Sequence, residues 1–85
     1  MKIIIVEDEA AIREGMEGIL KKLNPSYEVI GKAADGREGL ELIRTLKPDV
    51  ILLDIRMPDM DGLTMLGELR KEGIVCQAMM LTACS

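Results

Sequence analysis

Histidine is absent from this 85-residue sequence, and cysteine is scarce. The two cysteines, Cys76 and Cys84, match neither the spacing of a metal site nor that of a disulfide framework. Without histidine or paired cysteines, a zinc site would need carboxylates alone, which is unfavourable for that metal. We therefore expect both cysteines to be free thiols, in keeping with a reducing cytosol.

Long apolar runs and an excess of basic residues are also missing. The longest apolar candidate, residues 50–53, is far shorter than the ~20 residues needed to cross a bilayer, and no signal-peptide pattern follows Met1. The formal net charge is −4, whereas binding to a nucleic-acid backbone depends on clustered Lys and Arg. We expect a cytoplasmic location, no membrane partner and no direct contact with nucleic acid.

The sequence instead contains a regular alternation of strand-like and helix-like segments, with room for one domain. The apolar runs at residues 3–6 and 50–53 are typical of parallel strands buried on both faces. Residues 27–33 and 77–81 indicate two further strands. The first helix is predicted to bury one apolar stripe at helical spacing. Its members are Ile12, Met16, Ile19, Leu20 and Leu23.

Turn and capping residues mark the ends of the three predicted helices. The Asn24-Pro25-Ser26 segment ends the first helix. Asp35 is a candidate cap for the second, which closes before Pro48 because the residue preceding a proline is disfavoured in a helix. Gly73 is the predicted stop of the third. The second helix is expected to bury Leu40, Ile43 and Leu46, and the third is expected to run through Leu63, Leu66 and Leu69.

This alternation predicts an α/β protein with a parallel sheet that is covered by helices on both faces. Right-handed crossovers follow from the handedness of such units. In open sheets of this type, ligands bind beyond the carboxyl ends of the strands, at the point where the strand order reverses. A functional site is therefore expected at that edge.

Carboxylates follow two of the predicted strands. Glu7 and Asp8 come after the first strand, and Asp54 comes after the third. If these strands are neighbours, the carboxylates converge, and like charges packed together would raise each other's pKa. Mg²⁺, which prefers a few oxygen ligands with waters and a substrate phosphate, would remove that conflict. A carboxylate beside Mg²⁺ can also attack phosphorus and form an acyl phosphate.

An alternative role for these acidic residues is to interact with the dipole at a helix start. We prefer this interpretation for Glu9 and Asp61. It fails for Asp54, because the next helix begins several residues later. Thr82 follows the fourth strand, where its hydroxyl could bond a phosphoryl oxygen or could have no role; the residues alone leave both open.

Three segments together resemble the receiver domains of two-component response regulators. They are the acidic residues 7–9 after the first strand, the D-x-x-M-P-x-M-D-G run at residues 54–62, and Leu81-Thr82-Ala83 after the fourth strand. The long run is highly specific, and the resemblance covers all 85 residues. It implies a flavodoxin-like, doubly wound fold with strand order 2-1-3-4-5.

The resemblance also implies residue roles. By position, Asp54 is the phosphoacceptor and Asp8 the direct carboxylate ligand of Mg²⁺. Glu7, in place of the commoner aspartate, would act on the metal through water. Arg56, two positions beyond the phosphoacceptor, would give its backbone carbonyl to the metal.

Two more roles come from the segment after the fourth strand. Thr82 resembles the switch hydroxyl, and Ala83 resembles the small residue that leaves access for phosphate. Receiver domains continue with a fifth strand, which bears a lysine that pairs with the phosphoryl oxygens, and with two last helices. These elements are missing from residues 1–85, so we expect a truncated receiver domain with strand order 2-1-3-4.

The resulting hypothesis is a signalling domain that takes a phosphoryl group from a sensor histidine kinase onto Asp54 with Mg²⁺. The donor must be another protein, because this chain has no histidine. An output domain, such as a DNA-binding one, would lie elsewhere in a full-length protein. The chain itself would catalyse at most its own phosphorylation and dephosphorylation.

Two alternatives compete with this hypothesis. The first is a folded fragment that lacks phosphotransfer activity and self-associates through an exposed edge of the fourth strand. The second is a Mg²⁺-dependent phosphatase with an aspartyl nucleophile. Such enzymes usually carry an acid two positions after the nucleophile, where this chain has Arg56, which cannot exchange protons near neutral pH.

Overall fold

The computed structural model describes residues 1–54, 62–74 and 77–81, and of residues 54, 62–63 and 77–81 it describes the backbone only. Strands and helices alternate strictly along this part of the chain. In chain order they are β1 (Lys2–Val6), α1 (Ala10–Leu23), β2 (Glu28–Ala33), α2 (Gly36–Leu46), β3 (Val50–Asp54), α3 (Gly62–Lys71) and β4 (Gln77–Leu81).

The strands form one parallel sheet in the order β2-β1-β3-β4. The two most apolar strands, β1 and β3, lie side by side at its centre, as expected for strands buried on both faces. The strand order reverses between them, since β2 lies outside β1 and β4 lies outside β3. This confirms the predicted flavodoxin-like, doubly wound arrangement 2-1-3-4.

Alternate residues of the central strands point to opposite sides of the sheet. On one side, which we call the α2/α3 face, the strand residues pack against buried side chains of both helices. That cluster contains Ile4, Val6, Ala33, Leu40, Ile43, Ile51, Leu53, Met65 and Leu69. The other side, which we call the α1 face, has a smaller buried cluster made of Ile3, Ile5, Val50 and Leu52.

Helix α2 begins and ends as its flanking residues predict. The Asp35 carboxylate accepts a hydrogen bond of 2.9 Å from the Glu38 backbone N–H, the expected N-terminal cap. Lys47 adopts a left-handed conformation (φ 50°) just before Pro48 and ends the helix. In the middle, Gly39 lies so close to β1 that a Cβ added there would be 2.9 Å from a Val6 methyl carbon.

Helix α1 contradicts the prediction of a buried apolar stripe. None of its residues is buried, and the exposed fractions of Ile12, Ile19 and Leu23 are 45%, 61% and 72%. Met16 and Leu20 are partly buried against the α1 face. The stripe is only half covered because, in the described part of the chain, α1 packs on the sheet without a second helix beside it. Leu46, also predicted to be buried, is exposed at the last turn of α2.

The remaining helix predictions have mixed outcomes. Helix α3 ends at Lys71, and Gly73 follows with a positive φ of 73°, as expected for a helix stop. Leu69 is buried and Leu66 partly so, while the side chain of Leu63 lies outside the described residues.

Among the helices that are described, none has the length and apolar character that crossing a membrane requires.

Candidate functional site

The carboxyl ends of the two central strands meet at one edge of the sheet. In the parallel register of β1 and β3, Val6 pairs with Leu53, so Glu7 follows at the level of Asp54. Asp54 itself is the last residue of β3 and pairs with Leu81, the last residue of β4. The backbone therefore brings the starts of all three sequence motifs to the same edge.

Glu7 and Asp8 differ sharply in their surroundings. Glu7 is 4% exposed and is the buried charged residue of the described core, whereas Asp8, the next residue, is exposed. Burial of a carboxylate is costly unless polar partners or a cation compensate it. This pair offers one shielded and one open carboxylate directly beyond β1.

The backbone of Glu7 is held on both sides. Its N–H donates to the Ala33 carbonyl oxygen at 2.9 Å, which extends the pairing of β1 with β2. Its carbonyl oxygen accepts a hydrogen bond of 2.6 Å from Nη1 of Arg13, in the first turns of α1. The turn between β1 and α1 is thus attached to the sheet at one end and to the helix at the other.

The Arg13 contact is a feature that the sequence interpretation missed. A signal for it is present in the sequence: an arginine lies one turn into a helix that follows an acidic triplet. Because helical side chains tilt toward the helix N-terminus, such an arginine can reach back to the preceding turn. Its partner is a backbone carbonyl, which every residue has, so side-chain types do not identify it.

Glu9 does not cap α1 in the way we expected. It occupies the N-cap position with an extended backbone, yet its side chain makes no capping hydrogen bond. Its own N–H instead points to Oε1 of Glu7 at a distance of 3.5 Å. A glutamate side chain is longer than those preferred at this position, which fold back to the first-turn N–H groups more readily.

The lysine of strand β2 is hydrogen-bonded to helix α1. Lys32, on β2, donates hydrogen bonds to Glu14 (2.9 Å) and Glu17 (2.8 Å). These bonds raise the pKa of Lys32, and the bond from Lys32 lowers the pKa of Glu17. Both partners are therefore charged at neutral pH, and this lysine is engaged by two carboxylates of α1.

Several predicted site residues lie outside the described part of the chain. They are the Asp54 side chain, Arg56, Asp61, Thr82 and Ala83, and their roles stay predictions. Within the described residues, no group of three or more Cys, Asp or Glu side chains is placed to hold a metal ion. The predicted Mg²⁺ set draws its third carboxylate from Asp54. What the described residues supply is a pair of adjacent carboxylate ligands at the strand end, a donor type that fits Mg²⁺.

The fold and its acidic edge together define a flavodoxin-like α/β protein with a polar site at the switch point. The family model for the response regulator receiver domain matches residues 3–85. The chain therefore belongs to that family, the receiver domains of two-component response regulators, as its motifs suggested.

Individual relatives differ widely in what surrounds the receiver. The chain is 40% identical over 83 residues to the chemotaxis protein CheY of Thermotoga maritima, covering 92% of this chain and 68% of that protein. It is 44% identical over 73 residues to a protein-glutamate methylesterase/protein-glutamine glutaminase of Koribacter versatilis, covering 86% of this chain. The matched part is only 20% of that enzyme's length.

A solved receiver domain confirms the fold independently. The signal receiver domain of the response regulator NarL from Mycobacterium tuberculosis superimposes with a TM-score of 0.90 at 36% identity. The match covers 99% of this chain and 67% of that structure. The strand order and the helix placement described above are therefore those of a receiver domain.

Proposed function

We propose that this chain is a phosphoacceptor module whose acceptor is Asp54. The observation that carries the proposal is the register of the central strands, which brings the backbone of Asp54 level with Glu7 at the acidic edge. Membership of the receiver family supports the same assignment. Residues 1–85 would act as one receiver unit.

The proposed phosphoacceptor module would use Mg²⁺ as its cofactor. Asp8 and Asp54 would supply carboxylate oxygens, Glu7 would act through a water molecule, and Arg56 would contribute its backbone carbonyl. When bound, Mg²⁺ neutralises the charge that carboxylates and phosphoryl oxygens would otherwise concentrate at this edge. The burial of Glu7 keeps one carboxylate away from bulk solvent, which strengthens its interaction with a nearby cation.

The proposed reaction is a single phosphoryl transfer. A carboxylate oxygen of Asp54 attacks the phosphorus atom, an O–P bond forms, and the bond between phosphorus and the donor breaks. A phosphohistidine donor leaves as imidazole after taking up a proton, and an acyl phosphate donor leaves as a carboxylate. The product is an aspartyl phosphate, which adds about −1.5 to −2 charge at pH 7.

Thr82 and Ala83 would accommodate the phosphoryl group. The Thr82 hydroxyl would bond a phosphoryl oxygen, and the small side chain of Ala83 would leave room for it. The physiological donor would be a sensor histidine kinase in the cytoplasm. The output domain would belong to the rest of a longer protein, and a DNA-binding function is one option for it.

A second proposal concerns assembly. Strand β4 pairs with β3 and with no other strand in the described part of the chain. An edge with unpaired backbone groups can pair with a second chain. We propose that the 85-residue chain self-associates through β4; a monomeric mass by sedimentation at high concentration would contradict it.

Phosphorylation can be tested directly on the 85-residue chain. The chain is incubated with acetyl phosphate and MgCl₂, and its intact mass is followed beside the variants Asp54→Asn and Asp49→Asn. Asp49 is a matched control, because it lies at the opposite end of β3, where its carboxylate accepts a bond of 2.8 Å from the Lys2 N–H. We expect a phosphoryl adduct in the parent and in Asp49→Asn, none in Asp54→Asn, and none after chelation of Mg²⁺. An adduct that persists in Asp54→Asn would overturn the assignment.

A further inference from the structure

We propose that Arg13 is a positioning residue of the acidic edge, which fixes the turn that carries Glu7 and Asp8 and thereby sets the affinity for Mg²⁺. This inference rests on the proposed function, since it concerns the same site. It gives α1 a role in metal binding, in addition to its packing on the sheet.

The contact itself is short and directional. Nη1 of Arg13 lies 2.6 Å from the Glu7 carbonyl oxygen. Hydrogen bonds from a charged donor are shorter and roughly twice as strong as neutral ones. The Arg13 side chain is half-buried, so water competes less for the carbonyl than it would at an open surface.

The position of the contact lets Arg13 influence the direction of Asp8. The peptide group before Glu7 is held by the sheet, through the bond from its N–H to Ala33. The peptide group after Glu7 is held by Arg13, and this same group leads to Asp8, whose side chain is exposed. The direction in which Asp8 leaves the strand therefore depends on whether the Glu7 carbonyl stays fixed.

Contacts within α1 and between α1 and β2 hold the backbone of Arg13. The Arg13 N–H donates to the Glu9 carbonyl oxygen at 3.0 Å, the first bond of the helix. Glu14, the next residue, and Glu17, one turn later, form ion pairs with Lys32 on β2. These contacts oppose a shift of the helix start along the sheet and so help to hold the guanidinium in place.

Two effects of Arg13 on Mg²⁺ binding have opposite signs, which makes the proposal falsifiable. As a positive charge near the acidic edge, Arg13 disfavours a second cation, so removing it would tighten Mg²⁺ binding. As a positioning residue it favours binding, and outer-shell partners of metal ligands typically contribute about 10–100-fold in affinity. We expect positioning to dominate, because the contact is direct and the charge is screened by solvent and salt.

The experiment titrates MgCl₂ into the ¹⁵N-labelled chain and follows the amide signals of Asp8 and Glu9. We expect Arg13→Gln to weaken Mg²⁺ binding about tenfold. Arg13→Lys keeps the charge and one donor, and should recover part of the loss. Arg70→Gln is the matched control, because Arg70 is exposed in the last turn of α3, at the other end of the sheet. Equal or tighter binding by Arg13→Gln than by Arg70→Gln would overturn the proposal.

A second readout separates this inference from the proposed function. Amide hydrogen exchange at Asp8 and Glu9, measured without Mg²⁺, should be faster in Arg13→Gln than in the parent and the control. If the parent shows no Mg²⁺-dependent shifts, the metal site fails, and the positioning of the turn is decided by these exchange rates alone: unchanged rates overturn it. If circular dichroism shows that Arg13→Gln does not fold, Arg13→Lys against Arg70→Lys gives the same comparison.

Discussion

The two faces of the sheet are built from similar helices but are covered to very different degrees. On the α2/α3 face, Ile43 and Met65 are completely buried, and α2 approaches the sheet closely at Gly39. On the α1 face the helix has no buried residue, and Ile19 and Leu23 are mostly exposed. Both α1 and α2 carry an apolar stripe at helical spacing.

The difference teaches that an apolar stripe predicts which side of a helix faces the sheet, and not how much of that side is covered. Helices α2 and α3 contact each other as well as the sheet. Helix α1 shares its face with no described helix, so the outer residues of its stripe remain open. The face that contributes Arg13 to the candidate site is therefore the less tightly packed of the two.

The largest expected contrast comes from truncating one isoleucine on each face. Ile43→Ala removes a fully buried side chain from α2 and should lower the free energy of unfolding by about 2–5 kcal/mol. Ile19→Ala on α1 changes a side chain that is 61% exposed and should stay within about 0.5 kcal/mol of the parent. Urea unfolding followed by circular dichroism measures both. Equal losses would mean that the two faces are equally packed.

Two glycine substitutions should have opposite signs. A Cβ at position 39 would press on Val6, so Gly39→Ala should destabilise the chain by about 1–3 kcal/mol. Nothing lies within 4 Å of a Cβ at position 18, so Gly18→Ala should stabilise α1 by about 0.5–1 kcal/mol. Thermal unfolding of the matched pair checks this prediction, and a stabilising Gly39→Ala would contradict the close approach of α2.

The helix starts provide a smaller contrast. Asp35→Ala removes a bonded cap from α2 and should lower the free energy of unfolding by about 1 kcal/mol. Glu9→Ala removes a side chain without a capping bond and should change it by less than about 0.5 kcal/mol. The measurement is again urea unfolding, at a fixed neutral pH. A loss at Glu9 as large as that at Asp35 would show that Glu9 stabilises the start of α1 after all.

The smallest expected effect is the pH dependence from two ion pairs, one on each side of the sheet. Lys32 lowers the pKa of Glu17 in α1, and Arg44 in α2 lowers the pKa of Glu72, which directly follows α3. Because both folded-state pKa values lie below the ordinary value of 4.5, the stability from these pairs is present above pH 4.5. It is lost as the pH falls through the lowered values.

Replacing the cation in each pair should remove that dependence. Lys32→Gln and Arg44→Gln should each flatten part of the decline in stability between neutral pH and pH 3. The change should be small because solvent reaches both pairs and screens them. Thermal melts across that range at low salt provide the measurement. A steeper decline in either variant would mean that the pair does not lower the pKa of its glutamate.

Much of the fold could be predicted because its signals are local. The apolar runs of β1 and β3 predict central parallel strands, and Asp35 and Lys47-Pro48 predict the ends of α2. The degree of burial of α1 could not be predicted, since it depends on what else lies on that face. The same is true of Leu46, which the periodicity of α2 placed in the core.

The candidate site also has features that the sequence predicts and features that it does not. The strand alternation predicts that Glu7 and Asp54 come to one edge, and the register of β1 and β3 does place their backbones there. The position of Arg13 in the first turn of α1 indicates that its side chain can reach the preceding turn, but the residue types do not show which backbone carbonyl accepts its bond. The absence of a capping bond at Glu9 depends on the turn geometry that this bond helps to set.

The central claim is that Asp54 is the residue at this edge that receives the phosphoryl group. After reaction with acetyl phosphate and Mg²⁺, borohydride reduction converts an aspartyl phosphate to homoserine, and tryptic peptides then locate the change. The peptide of residues 45–56 contains both Asp49 and Asp54, and the peptide of residues 3–13 contains Asp8. The account predicts that fragment masses place homoserine at position 54. Homoserine at position 8 or 49, with an unchanged residue 54, would contradict it.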